Sequence, residues 1–353
     1  MQKKYYTIIV PRLDNSGPTS VAVDIGNIAV FSGWNVKLLY LSGALGRNDI
    51  NSLIEVRKFR ISDLWSLKGI VHTHMFRPDL IGWLCSCFGR TKIITTLHGH
   101  CPHHLAFDYT SFKVNLAWYL WAYVIQRFHV RICISKAMQR HYKRIFPKLK
   151  FELVYNFRSS YSHKDVALSS EILDWIDRQR SENKFVLVYV GSLIKRKNIL
   201  PLVKKLGEFP EFSLIICGDG PLRSEIESVA RMSGTDSIFI SGQLPCPDLV
   251  IRLSDLLVLP SHAEGLALVI LEAARLGIPS LLSNIAVHRE LEIWGLGKTF
   301  DRYTFADFSE KAFFLLGARI KYSDKALIKI WEDFFSPEQG FSKYEHHFRA
   351  LYF

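Results

Sequence analysis

Leu259-Pro260-Ser261-His262-Ala263-Glu264-Gly265-Leu266-Ala267-Leu268-Val269-Ile270-Leu271-Glu272-Ala273-Ala274-Arg275-Leu276-Gly277-Ile278-Pro279 is the stretch on which the reading of this 353-residue chain turns. An apolar run over 256–260 stops at Pro260, which cannot donate to a sheet ladder. Gly265 permits a tight approach, and the apolar spacing that follows predicts a helix beginning near Leu266. Free N–H groups in the first turn of such a helix would form an anion site suited to a diphosphate. Glu264 stands just before the helix and Glu272 a little over two turns along, so both carboxylates are expected at similar azimuths. Carboxylates accept hydrogen bonds from vicinal hydroxyls, the groups that sugars and riboses present. The same residues are equally well explained as a helix N-terminal charge and a solvated side chain.

The strand-then-helix pattern repeats outward in both directions. Strands are expected at 5–10, 36–41, 69–73, 92–97, 130–134 and 151–154, then at 184–190, 212–217, 237–241, 256–260 and 278–283. Helices are expected between them, near 19–32, 78–88, 111–129, 135–146, 198–207, 221–233, 247–254, 267–276 and 286–293, with a tail from about 305 that is helical around 305–320 and again at 341–352. Buried strands alternating with helices imply parallel sheets covered on both faces. The series restarts after the polar gap Arg158 to Asp165. The expected fold class is therefore α/β, with two Rossmann-like doubly wound domains: 1–160, 165–335, and a final helical piece, 336–353, returning to the first domain. In open α/β sheets ligands bind beyond the carboxyl ends of the strands, so each strand-to-helix junction is a candidate.

Three other junctions stand out. Val190-Gly191-Ser192-Leu193-Ile194-Lys195-Arg196-Lys197 places three cations after a buried strand, where they could neutralise a phosphate leaving group. Gly218-Asp219-Gly220-Pro221 is part of a dinucleotide fingerprint, though Pro221 equally suits a helix start. Near the N-terminus, Asn15-Ser16-Gly17-Pro18 follows the first strand, and Gly17 would let backbone approach a ligand.

Composition removes several classes. With 48% apolar residues the chain is not disordered, and 6 cysteines without a CxxC pair do not make a disulfide scaffold. No apolar run reaches the length of a bilayer span, and the opening residues lack the core of a signal peptide, so a cytoplasmic protein is expected. Charge is uneven. Residues 1–160 hold 22 basic and 8 acidic side chains, whereas 161–353 hold 23 and 25. Such a basic half suits an anionic partner. His98, His100, Cys101, His103 and His104 lie close together, but without regular metal-ligand spacing, so no metal site is expected.

Taken together the motifs resemble the retaining GT-B glycosyltransferases of family 4. Glu264 to Glu272 matches that family's Glu-x7-Glu, within Pro-Ser-x-x-Glu-Gly. The likeness extends in order through Val71-His72-Thr73-His74, Thr96-Leu97-His98-Gly99, Ile134-Ser135-Lys136-Ala137, Asn156, Gly191 with Lys197, Gly218-x-Gly220-Pro221 and Ser241-Gly242, covering nearly the whole chain. The resemblance implies two lobes facing across a cleft and a hexosyltransferase using a nucleotide sugar, UDP-linked first. It implies that Glu272 would hold the ribose, Glu264 the donor sugar, and Leu266 and Ala267 the diphosphate. Lys197 and Arg196 would meet the departing phosphate, Gly17 would approach it from the N-terminal domain, and His98 would face the sugar. The family often carries Arg directly after the glycine of the 190s motif. Here that position is Ser192, and Arg196 is the substitute.

No Asp-x-Asp metal motif occurs, so transfer without a metal or other cofactor is expected. The acceptor would be a glycan or lipid-linked glycan of surface polysaccharide or lipopolysaccharide assembly. The aromatic and cationic stretch 107–150 and the basic excess suit peripheral contact with the anionic inner face of a membrane. The stripe Trp118, Trp121 and Ile125 is expected to be core. Two alternatives fit parts of the chain: a nucleotide-sugar epimerase or sugar phosphorylase of the same fold, and a nucleic-acid binder. Charge alone motivates the second and leaves the C-terminal motifs unexplained, so no nucleic-acid partner is expected.

Overall fold

The computed structural model describes residues 4–44, 47, 49–88, 91–99, 111–158, 167–234, 236–322 and 324–352; side chains of 111–115 and 319–322 are not described. The chain divides into two compact units, one of Met1–Tyr161 with Phe334–Phe353, the other Ser162–Asp333.

The first unit is built on β1 (Tyr5–Val10), β2 (Asn35–Tyr40), β3 (Glu55–Lys58), β4 (Gly69–His74), β5 (Thr91–Leu97), β6 (Val130–Cys133) and β7 (Glu152–Leu153). All pairs are parallel, in the order β3-β2-β1-β4-β5-β6-β7. The order reverses between β1 and β4, the kind of switch point where doubly wound sheets hold ligands. The central strands are buried on both faces, as their β-branched runs require (Ile8, Ile9, Val10, Ile70, Val71, Ile93 and Ile94).

Helix Pro337–Tyr352 belongs to this unit. Its buried Phe341, Tyr344 and Phe348 lie on one face, and the Phe348 ring is 4.5 Å from that of Tyr6. Each such side chain contributes about 1.5–3 kcal/mol by burial. Gly340 is what lets the helix come close: a Cβ there would lie 1.9 Å from the Phe157 ring.

The second unit contains β8 (Phe185–Val190), β9 (Phe212–Cys217), β10 (Ile238–Gly242), β11 (Leu256–Leu259), β12 (Ser280–Ser283) and β13 (Gly297–Phe300). These are also parallel, in the order β10-β9-β8-β11-β12-β13, with the switch between β8 and β11. Both units are thus doubly wound α/β sheets, the fold class expected from the alternation.

Several elements depart from expectation. β3 and β13 had no strand signal, being four-residue strands at sheet edges. β3 carries Glu55, Arg57 and Lys58, and Glu55 takes the Lys37 ammonium of β2 at 2.8 Å. Charge on an edge strand blocks pairing with other chains, at the cost of hiding the strand from hydrophobic patterning. Helices Ser170–Ser181 and Lys325–Phe334 were likewise unmarked. Residues 159–165 of the expected linker, and His100 to His104, lie outside the described residues.

Candidate active site

In the second unit the junctions after β8 and β11 converge. The turn Lys195–Lys197 follows β8, and Asn198 ends it in the left-handed region at φ 54°. Asn198 Nδ2 donates to the Pro260 carbonyl at 3.1 Å, and the His262 N–H donates to the Arg196 carbonyl at 2.9 Å. These bonds tie the two loops together and bring side chains far apart in sequence into one cluster. Lys197 Nζ lies 2.7 Å from Glu264 Oε1, and Arg196 Nη1 lies 3.3 Å from Glu264 Oε2. Arg196 also donates to the Ala263 carbonyl at 2.8 Å, and Ser261 Oγ donates to Glu264 Oε1 at 2.6 Å.

Glu264 is only 6% exposed. Burial raises its carboxyl, but the Lys197 ammonium and the Arg196 guanidinium outweigh that and hold it down at about 2. It is a carboxylate at neutral pH. Two cations against one carboxylate leave one net positive charge at the carboxyl edge of the sheet. Behind them, Ser283 Oγ donates to the Ser261 carbonyl at 2.6 Å, and buried His288 Nδ1 is 3.1 Å from Ser283 Oγ. Burial pushes His288 down to about 4, so it is neutral.

Glu264 stands before the helix, as expected, but the helix starts slightly later than the spacing predicts. The helix runs Leu268–Arg275, not from Leu266, because Ala267 is extended at ψ 123° and serves as its N-cap. Glu264, Gly265 and Leu266 precede it. Glu264 meets its own unit's cations, while half-buried Glu272 lies within the helix. Leu266 is buried, and Ala267 stands at the helix start.

The glycines gather at neighbouring strand ends. The Gly191 N–H donates to the Cys217 carbonyl at 3.0 Å, and the Gly218 N–H donates to the Gly242 carbonyl at 2.8 Å. A Cβ on Gly218 would sit 1.9 Å from the Gly191 carbonyl oxygen, and one on Gly220 would sit 2.7 Å from that of Leu193. Close backbone approach within the fold accounts for Gly218 and Gly220. Gly242 adopts φ 71°, which favours glycine.

In the first unit Gly17 is exposed at the start of helix Gly17–Phe31. The loop before it is fixed by Arg47, whose guanidinium donates to the Asp14 carbonyl at 2.8 Å and to Ser20 Oγ at 3.1 Å. At the ends of β4 and β5, His98 Nε2 lies 2.8 Å from Nδ1 of buried His74. Burial pushes His98 down to about 3, so its imidazole is neutral. His72 is held between Tyr6 Oη (2.7 Å) and Thr96 Oγ1 (2.8 Å), and Thr96 Oγ1 is 3.1 Å from Tyr344 Oη of the final helix.

The structure thus joins Arg196, Lys197 and Glu264 directly, sets Gly191, Gly218 and Gly242 side by side, and gives His98 a buried partner. It adds Ser261, Asn198, Ser283, His288 and Arg47, which sequence reading missed. Ser261 alone carried a signal, as the serine of Pro-Ser-x-x-Glu-Gly. Among the described residues no group of three His, Cys, Asp or Glu could hold a metal ion, and no helix is long and apolar enough to cross a membrane.

Comparison with known proteins gives this geometry a context. Residues 174–317 match the profile described as Glycosyl transferases group 1, and residues 62–158 match Glycosyltransferase Family 4. The O-antigen biosynthesis glycosyltransferase WclY of Escherichia coli is 24% identical over 314 residues, covering 86% of this chain and 87% of its own. A UDP-Gal:alpha-D-GlcNAc-diphosphoundecaprenol alpha-1,3-galactosyltransferase of Escherichia coli is 27% identical over 67% of this chain and 62% of its own. Among solved structures, Alr3699/HepE of Anabaena in complex with UDP-glucose superposes with a TM-score of 0.76 at 16% identity, covering 98% of this chain and 100% of that one.

Proposed function

We infer that this chain, which belongs to the group 1 and family 4 glycosyltransferases and is a transferase of GT-B fold, moves a hexose from a UDP-sugar to a glycan or lipid-linked glycan acceptor. The class of product is surface polysaccharide of the O-antigen or lipopolysaccharide kind. The place of WclY in O-antigen biosynthesis supports that product class, the diphosphoundecaprenol-linked acceptor of the galactosyltransferase supports the acceptor, and the UDP-glucose complex of HepE supports the donor.

The observation that carries the reading is the buried Glu264 gripping Lys197 and Arg196. As the bond between the anomeric carbon and the diphosphate breaks, the electron pair leaves with the nucleotide. Lys197 and Arg196, pre-set by Glu264, meet the developing charge without reorganising. Ser192, where the family often has Arg, is exposed, which leaves Arg196 as the second cation. The lack of any Asp-x-Asp in the sequence supports transfer without a metal. Retention follows from the family resemblance; in the step proposed here the acceptor hydroxyl attacks the face the nucleotide leaves and gives its proton to the departing diphosphate oxygen.

The protein is proposed to work in the cytoplasm with its first unit against an anionic membrane. Helix Ser111–Ile125 exposes Leu116, Tyr119, Leu120 and Tyr123, one stripe at helical spacing. The neighbouring helix Lys136–Ile145 exposes Lys136, Arg140, Lys143 and Arg144 on one face. Trp121 and Tyr142, with ring centroids 5.7 Å apart, join the two helices. An apolar stripe beside a basic one is the pattern of a membrane-surface contact.

Thermal unfolding with UDP, GDP, UDP-sugars and GDP-mannose, followed by turnover with and without EDTA, tests the reading. A UDP-sugar at a hundred times its dissociation constant is expected to stabilise the fold by roughly 2.7 kcal/mol. UDP release is expected only with acceptor present, and unaffected by EDTA. Stabilisation by none of these nucleotides would overturn the reading; sugar interconversion without acceptor would mark an epimerase.

A further inference from the structure

The histidine pair at the ends of β4 and β5 has an asymmetry that fixes where its protons lie. His74 is fully buried; its Nδ1 meets His98 Nε2 at 2.8 Å, and its Nε2 has no hydrogen-bond partner among the described residues. Both rings are neutral, because burial pushes His74 far below the usual imidazole range and His98 down to about 3. One proton must lie between Nδ1 of His74 and Nε2 of His98. Were it on His98, neutral His74 would carry its own proton on the partnerless Nε2, burying an N–H with no acceptor. Orphaned N–H groups are the rarer defect in folded proteins. The other arrangement puts the proton on His74 Nδ1, donating to His98 Nε2, and leaves only a bare ring nitrogen unmet.

We propose that His74 is a positioning residue that holds His98 in the Nδ1–H tautomer, so that His98 presents a fixed hydrogen-bond donor and not a proton acceptor. The tautomer stands on this geometry, the two rings being neutral, and does not depend on the function proposed above. That the Nδ1–H is spent on an oxygen of the donor sugar rests on the function proposed above. His98 then assists transfer by orienting the sugar and takes no proton from the acceptor.

The test is two-bond ¹H–¹⁵N correlation on protein labelled in its histidines, at neutral pH, with the His98 signals identified by their loss in His98→Gln. The wild-type protein is expected to show His98 protonated on Nδ1. His74→Asn places an amide N–H near the position of Nδ1 and is expected to keep that tautomer, whereas His74→Leu is expected to release it toward Nε2–H. A wild-type His98 protonated on Nε2, or a tautomer unchanged in a folded His74→Leu protein, would overturn the assignment. In turnover, His74→Leu is expected to lose about 10–100-fold in kcat/KM, the range for partners that orient a functional histidine, with His74→Asn recovering most of it. The expected tautomer with turnover untouched by His74→Leu would overturn the sugar contact alone. UDP-sugar binding in the thermal assay reports separately on the function.

Discussion

Lys197 and Glu264, 67 residues apart in the chain, meet at 2.7 Å because β8 and β11 are neighbours in the second sheet. Each follows the carboxyl end of its strand, and the bond between them joins the two loops at the switch point. The carboxylate does not stand open to solvent. Ser261, Lys197 and Arg196 all donate to it, so it acts first on the cations.

Lys197→Ala is therefore expected to do two separable things. Turnover should fall about 10²–10³-fold, as when one aligned donor to a developing oxyanion is removed. Stability should fall by about 3 kcal/mol, because a buried carboxylate loses a partner. Adding Glu264→Gln to Lys197→Ala should recover stability but not turnover. Denaturant unfolding and steady-state kinetics check both, and near-normal turnover in the single variant would count against the role.

Acid should reveal the same pair. The Glu264 carboxyl sits at about 2 in the fold against an ordinary 4.5. A folded value below the unfolded one means stability fully present above about 4.5 and lost as pH falls toward 2, amounting to about 3 kcal/mol. The stability difference between wild type and Glu264→Gln should shrink over that window. A constant difference would contradict the pairing.

Asp79 should behave in the opposite sense. It is buried, and accepts from Thr73 (2.5 Å), Thr95 (2.8 Å) and the Trp121 indole (2.7 Å), yet burial outweighs these bonds and pushes it up to about 6. With the folded value above the unfolded 3.8, its contribution is greatest below 3.8 and declines as pH rises through 6, by about 3 kcal/mol. Asp79→Asn should lack that decline in unfolding measured from pH 4 to 7. Parallel curves for the two proteins would refute it.

Gly218→Ala should destabilise by about 3 kcal/mol, since its Cβ would overlap the Gly191 carbonyl and two strand ends would have to part. Gly207→Ala, where nothing lies within 4 Å, is the control and should be near neutral. Chemical unfolding of the two variants decides the matter.

Sedimentation with anionic vesicles tests the outer face of the first unit. The wild type should co-sediment at low salt and release as salt rises. Tyr119→Ser with Leu120→Ser, or Arg140→Glu with Lys143→Glu, should weaken this markedly while leaving soluble-substrate turnover intact. Failure of the wild type to bind would remove the membrane contact.

How much was legible beforehand differed by element. Strands such as Ile8-Ile9-Val10 and Leu256-Leu257-Val258 could be read because buried parallel strands must be continuously apolar. β3 could not, since an edge strand is free to carry charge. The outward face of helix Ser111–Ile125 was missed for a related reason. Trp118, Trp121 and Ile125 marked the inward stripe; Trp121, bonded to Asp79, and Ile125 are buried, while Trp118 is half-buried against the Trp121 ring. Leu116, Tyr119, Leu120 and Tyr123 are apolar as well, so periodicity alone could not say which stripe met the core.

From the amino acids alone came the alternation of strand and helix, the junctions that bear cations and carboxylates, and the family these motifs resemble. Such features are local, written in residues adjacent in the chain. The tertiary structure decided which junctions meet, that Glu264 faces Lys197 and Arg196, and that His98 leans on His74. Those outcomes depend on strand order, which sets loops far apart in the chain side by side without altering the local pattern that announced them.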